Sequence, residues 1–563
     1  MTGLICQRCH QHNPLKSNID IVAEADRLSA YLHERPLEPS CPHEECPNHD
    51  VGISAGPKAY TLFGHTNAGS QRYTCKACGR RFTVSRRATL WQHRPDKNKS
   101  LFLALVNHGS LKRIFEQEET GGGALYSKLE YFYAQCRAFA SEVERRFLEK
   151  SQVGFHRLYL STDAQEYVLN WKFHENRMNV KLSAIGTADN DSGYVFGMNL
   201  NFDPNAVLAE KEAEAAPDAG KPEPYRKHAR FWLKDDYLKS LARSAKRAKR
   251  RVRPTKKEPR SLIERIRFEA REAGRRYNVE RTEEMHKHLQ LPDVGVQTQK
   301  DYTAYGHYMF LKRLFADNFG KLRFFFDYDS GLRSACLAAF QREVVDERVD
   351  AAYVALTYGL TKPAKLIALA KAKKAFEAEA AKHPGAAEHE VKMHMMLEQI
   401  AAKESDQFWG DWWIRHPLPS MAEPQKMMSI QTNTNPGRFD DRHLANLLLK
   451  GSLHGVNRFF NVVRKRLAAL DRQTASASTQ RREYLVYGLY NPKYMVMLLE
   501  ILRVYYNYAL PVQERHGKLI PKKDRQTPAQ YLGIVDRTYT VDEIMEFVPT
   551  PAPRRKEEHA ISA

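Results

Sequence analysis

Six of the eight cysteines lie within the first 78 residues, and four of them form two close pairs, Cys41-Pro-His-Glu-Glu-Cys46 and Cys75-Lys-Ala-Cys78. No other feature of the chain constrains its folding as tightly. Zinc takes four thiolate or imidazole ligands in a tetrahedron, and close pairs on two turns supply them at little loop-closure cost. The second pair runs into the basic turn Gly79-Arg80-Arg81 and a strand pattern, so Cys41, Cys46, Cys75 and Cys78 are expected to hold structural zinc in a ribbon. Cys6 and Cys9, followed by His10 and His12, could make a second zinc site only by taking ligands from elsewhere. His43 and His49 read as spectators, and Cys136 and Cys336, on apolar helix faces, as core thiols.

The 563 residues allow roughly three or four domains. Lys and Arg exceed Asp and Glu by 21, a surplus that points to a polyanion, because each phosphate contacted releases counterions. The expected partner is therefore a nucleic acid, with no small-molecule substrate. No run approaches the ~18 apolar residues of a membrane span, and the N-terminus lacks a signal-peptide pattern. The expected location is therefore cytoplasmic, with no membrane partner.

Periodicity divides the chain into a zinc ribbon over 1–95 and a helical, helix-turn-helix-like unit over 96–150. A mixed α/β core follows over 151–540, and then a disordered tail over 541–563. The helical unit could set Ala124–Arg137 in a major groove, with Arg80, Arg81, Arg86, Arg87, Lys112 and Arg113 on phosphates. Residues 156–203 read as a three-stranded antiparallel meander with a turn at Asp189–Gly193. A helix near 301–317, the strand KLRFFFD, a helix from Gly331 and the strand RVDAAYVAL come next, with a long helix over 441–472 and another over 484–509. Helical insertions interrupt the core at about 206–298 and 362–408. The first ends in a strongly basic run, RSAKRAKRRVRPTKKEPR. The order β-β-β-α-β-α-β-α matches a ribonuclease-H-like sheet, so the fold class is α+β and multidomain.

Asp163 stands in the apolar strand LYLSTDAQEYV, and Asp327 closes FFFD. A carboxylate in an apolar strand is costly unless it is paired or holds a cation. Two at the ends of adjacent strands are what a pair of Mg²⁺ or Mn²⁺ ions needs for phosphodiester chemistry. Asp329 fits a helix N-cap better than a ligand, though it is an alternative acid.

Four segments carry a resemblance. They are GSQRYTCKACGRRFT, the Asp163 strand, FFFDYDSGLRSA, and the stretch from VNRFFNVVRKRLAALDR through RVYYNYA to RQTPAQYLG. In this order they resemble insertion-sequence transposases that carry an N-terminal zinc ribbon and an acidic-triad, integrase-like core. The resemblance implies a prokaryotic, nucleoid-associated enzyme that binds double-stranded DNA at element ends and target, hydrolyses phosphodiesters and transfers DNA strands, working as a homo-oligomer. It also implies a third acid, normally Glu, on the helix after the last core strand. No Glu occurs between Glu423 and Glu483, and that helix offers His454 and Asn457 instead. Asp440, Asp441 or Glu423 could substitute. Arg458, Arg464, Lys465, Arg466 and Arg472 would follow DNA phosphates. Trp409, Trp412 and Trp413 suggest a lid or dimer contact. The alternatives are a degenerate, domesticated relative that only binds DNA, and a zinc-ribbon transcription factor in which Asp163 and Asp327 lie far apart.

Overall fold

The computed structural model describes residues 3–554 except 6–11, 68, 85–87, 90, 91, 120, 149–154, 174, 250–282, 284, 317, 328, 357–359, 406–411, 425, 431–438, 476–482, 516, 517 and 553. Cys6, Cys9, Arg86, Arg87, Trp409 and most of the basic run at 243–260 lie outside the described residues. Before the cysteine pairs, helix α1 (Asn18–Ser29) is capped by Ser17, whose hydroxyl accepts from the Asp20 amide. Its buried Ile21 and Leu28 belong to the main core, so the ribbon does not account for all of residues 1–95. The ribbon proper is an antiparallel sheet of β1 (Tyr60–His65), β2 (Gln71–Cys75) and β3 (Arg81–Val84).

The helical segment expected to enter a DNA groove is built into the core instead. It comprises α2 (Asn98–Leu105), α3 (Leu111–Glu118) and α4 (Gly122–Glu144). Leu125, Leu129, Phe132, Cys136, Phe139 and Val143 of α4 are all buried in the main core. The outward residues Ala124, Ser127, Glu130 and Ala134 carry no cation that could meet a phosphate. Glu144, at the end of α4, is fully buried and pairs at 2.6 Å with the buried Arg503. Tyr31 and Tyr194 donate to the same carboxylate. A buried ion pair of this kind is tolerable only when its remaining lone pairs are satisfied, as here.

The meander is present as β4 (Phe155–Leu169), β5 (Val180–Asp189) and β6 (Val195–Leu200), with Gly193 supplying the positive φ of the β5–β6 turn. After α5 (Leu208–Ala215), α6 (Lys234–Lys249) and α7 (Lys300–Phe315) comes β7 (Phe319–Phe326), which pairs parallel with β4. Helix α8 (Ser330–Ala339) then leads to β8 (Val349–Leu356), parallel to β7 and buried at every position. Such a run reads as continuously apolar because both faces of the sheet are covered.

The second insertion is the helical hairpin α9 (Lys362–Lys382) and α10 (Glu388–Ala401). Beyond it β9 (Glu404–Ser405), β10 (Trp412–Arg415) and β11 (Lys426–Ile430) extend the sheet past β8, giving the order β9-β10-β11-β8-β7-β4-β5-β6. These three strands were not expected. Trp413 is buried against Tyr353 and forms no surface lid. The long helix expected over 441–472 is two, α11 (Asp441–Leu449) and α12 (His454–Arg466), broken at Gly451-Ser452. A Cβ at Gly451 would lie 2.4 Å from Met428 Sδ, so the break lets the chain pass close to the sheet.

Helix α13 (Pro492–Val504) ends in a π-helical turn, Tyr505–Ala509. The tail expected from 541 to be disordered includes α14 (Val541–Met545), whose Ile544 and Met545 are buried in the main core. Phe547 packs on Phe139, and Arg554 Nε donates to the Glu38 carbonyl. Residues 555–563 lie outside the described residues. Among the described residues, no helix is long and apolar enough to cross a membrane.

Candidate active site and metal centre

Cys41 and Cys46 come from the loop before β1, and Cys75 and Cys78 from the turn between β2 and β3. One ligand atom from each lies within 4.8 Å of all the others, a group that could hold a metal ion. Sγ of Cys41 and Cys78 are 3.5 Å apart, and those of Cys46 and Cys75 3.7 Å. A tetrahedron with metal–sulfur bonds of about 2.3 Å has edges near these lengths. Burial would raise the Cys75 thiol, but the Cys78 and Ala77 amides and the Asn48 side chain (3.3 Å) outweigh it and bring Cys75 down to about 6. His49 bonds the Cys41 carbonyl through Nδ1 and stays outside the group, as a spectator should.

The second site is made by the main sheet. The last register pair of β7 and β4 sets Phe326 beside Thr162, so Asp163 in β4 and Asp327, one residue past the end of β7, come next, close enough for the charge of one to act on the other. Neighbouring strands are ~4.8 Å apart. Alternate residues share a face, so Ser161 and Asp163 point one way while Thr162 points the other, to Thr187 and His307. Burial, and next the charge of Asp327, push the Asp163 carboxyl up to about 8, against the Ala164 amide and Lys300. Two like charges held this close share a proton more readily than they both ionise.

Helix α12 lies across this face. Its first turn is pinned by the sheet: Val456 N donates to Ser161 Oγ at 3.0 Å and Gly455 N to Asn190 Oδ1 at 3.0 Å. Gly186, the cross-strand partner of Asp163, leaves room for Phe460 and Val456, which a Cβ there would approach to 3.0 and 3.2 Å. Val456, Phe459, Phe460 and Val463 are buried, and Arg458 reaches the Glu514 carbonyl. By helical spacing Asn457, Asn461 and Arg464 share one flank, roughly 90° around the helix from Arg458. His454 is exposed at the first turn, its Nδ1 3.0 Å from Ser452 Oγ.

The substitute acids divide clearly. Asp329 caps α8, accepting from Gly331 N, and pairs with Lys300 at 3.0 Å. Asp440 caps α11, and Asp441 starts it beside His443, whose neighbours are Arg323, Lys321 and Arg157. Arg157 precedes Asp163 by six residues, about 20 Å of strand, so Asp441 is remote from the pair. Glu423 is buried, pairs with Lys426 at 2.7 Å, and accepts from Ser452 Oγ and Leu453 N, holding the α12 N-terminus. Among the described residues, the cysteine quartet is the one group of three or more potential His, Cys, Asp or Glu ligands within mutual reach.

The predicted phosphate contacts also divide. Arg80 and Lys112 are exposed, Arg81 lies 3.8 Å over Phe63, and Arg113 approaches Tyr487 at 5.7 Å. Arg464 is half-buried in a cleft with Lys465 and Arg472. Arg466 is committed elsewhere, donating to the Val106 carbonyl and to Asn107 Oδ1 at 2.7 Å. Sequence reasoning missed Lys300, which stands beside the acids and occupies Asp329; its place after Gln299 carries no motif. It also missed Glu283, which accepts from Trp232 Nε1 and is pushed up to about 7 by burial. Compared with known proteins, the chain matches no family model, no curated protein and no solved structure.

Proposed function

We propose that this protein is a DNA strand-transfer enzyme, a transposase with a ribonuclease-H-like core, in which Asp163 and Asp327 hold the divalent cations. The observation that carries this reading is the pair itself: one carboxylate in β4 and one just past the end of β7, its parallel neighbour, with Asp163 raised by burial and by Asp327. The order β6-β5-β4-β7-β8, a meander followed by two parallel strands, is the arrangement that such a core requires and supports the reading. Bound Mg²⁺ or Mn²⁺ would supply the activation of the attacking oxygen and stabilisation of the leaving oxygen. The chain's own residues orient the site. Ser161 and Asn190 fix α12, Gly186 admits it, and Lys300 keeps Asp329 on its cap. Asn457 is the α12 residue proposed to complete the ligand set, with Arg464 and Lys465 on the DNA backbone and zinc in the cysteine quartet.

A second reading, a DNA-binding relative without the chemistry, is favoured by one observation: no third acid joins the pair among the described residues. Nicking of supercoiled plasmid DNA in Mg²⁺ separates the two. The enzyme reading expects nicking by the wild type and none by Asp163→Ala or Asp327→Ala; DNA binding without nicking by the wild type would sink it.

A further inference from the structure

On the same sheet face as the acids, at the other end of the strands, lies a cavity of about 630 Å³ between β4, β7, α10 and α11. Arg157 and Tyr159 precede Asp163 in the same alternation, and Arg323 precedes Asp327. Arg323 to Asp327 spans four residues, about 13 Å of strand. The turn between α11 and α12, with Gly451 against Phe325, separates the two sites. Four cations line the cavity, Arg157, Arg323, Lys392 and Lys450, and none of its lining residues is acidic.

We propose that this cavity binds a phosphate-bearing ligand. Arg323 is 2 % exposed, and although Nη1 pairs with Asp350, Nη2 is buried with no hydrogen-bond partner. A buried guanidinium nitrogen left unsatisfied is costly unless a ligand meets it. His416, 9 % exposed, adds a buried imidazole to the lining, its Nδ1 accepting from Leu418 N at 3.1 Å. Arg157 crowds Arg323 with a like charge, an arrangement an anion between them would relieve. Of the other carboxylates nearby, Glu388 on Lys392 and Asp191 on Lys450 are exposed, Asp440 caps α11 beside His443, and buried Glu423, close to His416, is taken up by Lys426, Ser452 and Leu453 N. Tyr159 beneath Lys450, and His443 stacked on Phe439, give the cavity flat walls beside its cations. A volume of this size takes a nucleotide-sized group. The ligand is either a phosphate of a polynucleotide strand or a free phosphorylated compound, and the site does not depend on the acid pair being catalytic.

The test is calorimetric titration of the full chain with inorganic pyrophosphate. Saturable one-to-one binding is expected, weakened at least tenfold by Arg157→Gln combined with Lys392→Gln and unchanged by Lys373→Gln with Lys374→Gln on the exposed face of α9. Proton NMR of His443, held low by burial and then by Arg323, Lys321 and Arg157, should show its titration moving up when pyrophosphate binds. This readout needs no variant. Displacement of pyrophosphate by a ten-nucleotide single strand assigns the site to a polynucleotide; binding without displacement assigns it to a free phosphorylated compound. Absence of saturable binding, or equal binding by the Arg157/Lys392 variant, overturns the proposal.

Discussion

The cysteine quartet and the aspartate pair solve opposite problems. The four thiols come from two turns of one small sheet; amides and Asn48 favour a thiolate at Cys75, whereas burial pushes Cys41 up to about 12. The two aspartates come from strands far apart in sequence, and the fold holds them together against their mutual repulsion. A metal in the first site would give a small sheet its core; the second pair is imposed by a large core built from other residues. A complete ligand set can be local, whereas like charges can be kept adjacent only by structure that is stable for other reasons.

The largest difference between the two should appear on metal removal. Chelation, or Cys75→Ser, is expected to abolish bound zinc and unfold residues 41–84, since structural zinc in small domains contributes about 10–16 kcal/mol to folding. Limited proteolysis should then cut within that region while the main sheet stays protected. Cleavage throughout the chain would break the comparison. Next in size, Asn457→Ala should slow DNA nicking roughly a hundredfold if it completes the ligand set, at unchanged melting temperature. A full-rate variant would remove α12 from the site.

Smaller effects concern the cost of holding the acids. A Cβ at Gly455 would lie 2.7 Å from Asn190 Oδ1 and 2.9 Å from Ser161 Oγ. Gly455→Ala should therefore destabilise by about 1–3 kcal/mol, measured by denaturant unfolding, as α12 is forced off the sheet. Asp163 has a folded pKa raised from its ordinary value to about 8, so between these the folded state binds more protons than the unfolded one. Its contribution to stability is thus lost as pH rises through that window. Asp163→Asn should be more stable than wild type at pH 8.5 without divalent ions by roughly 1–2 kcal/mol, allowing for solvent screening, and the gain should vanish near pH 4. A stability difference independent of pH would contradict a shared proton.

The sequence carried much of this arrangement and withheld a definite part. Cysteine spacing is a local signal, and the four thiols come together as it implied; the alternation around Asp163 and the run ending at Asp327 marked two strands, which pair in parallel. The burial of α4 was not legible, because amphipathic periodicity reveals that a face is covered and not what covers it. Nothing local marks Glu144 and Arg503 as buried; each is buried because the other, far along the chain, neutralises it. The ordered segment around Ile544 and Arg554 was hidden for a related reason. A few apolar residues among charges suffice when the helix they meet, α4, already presents Phe139. The strands β9–β11 were masked by short length, and the break at Gly451 by the apolar spacing that continues through it.

The central claim is that Asp163 and Asp327 together form a cation site. Mn²⁺ binding followed by electron paramagnetic resonance, on zinc-loaded protein across pH 6 to 9, tests it most directly. The account predicts affinity that climbs as pH rises through about 8, with proton release, and that is lost in both Asp163→Asn and Asp327→Asn. Affinity that does not change with pH and survives either substitution would contradict it.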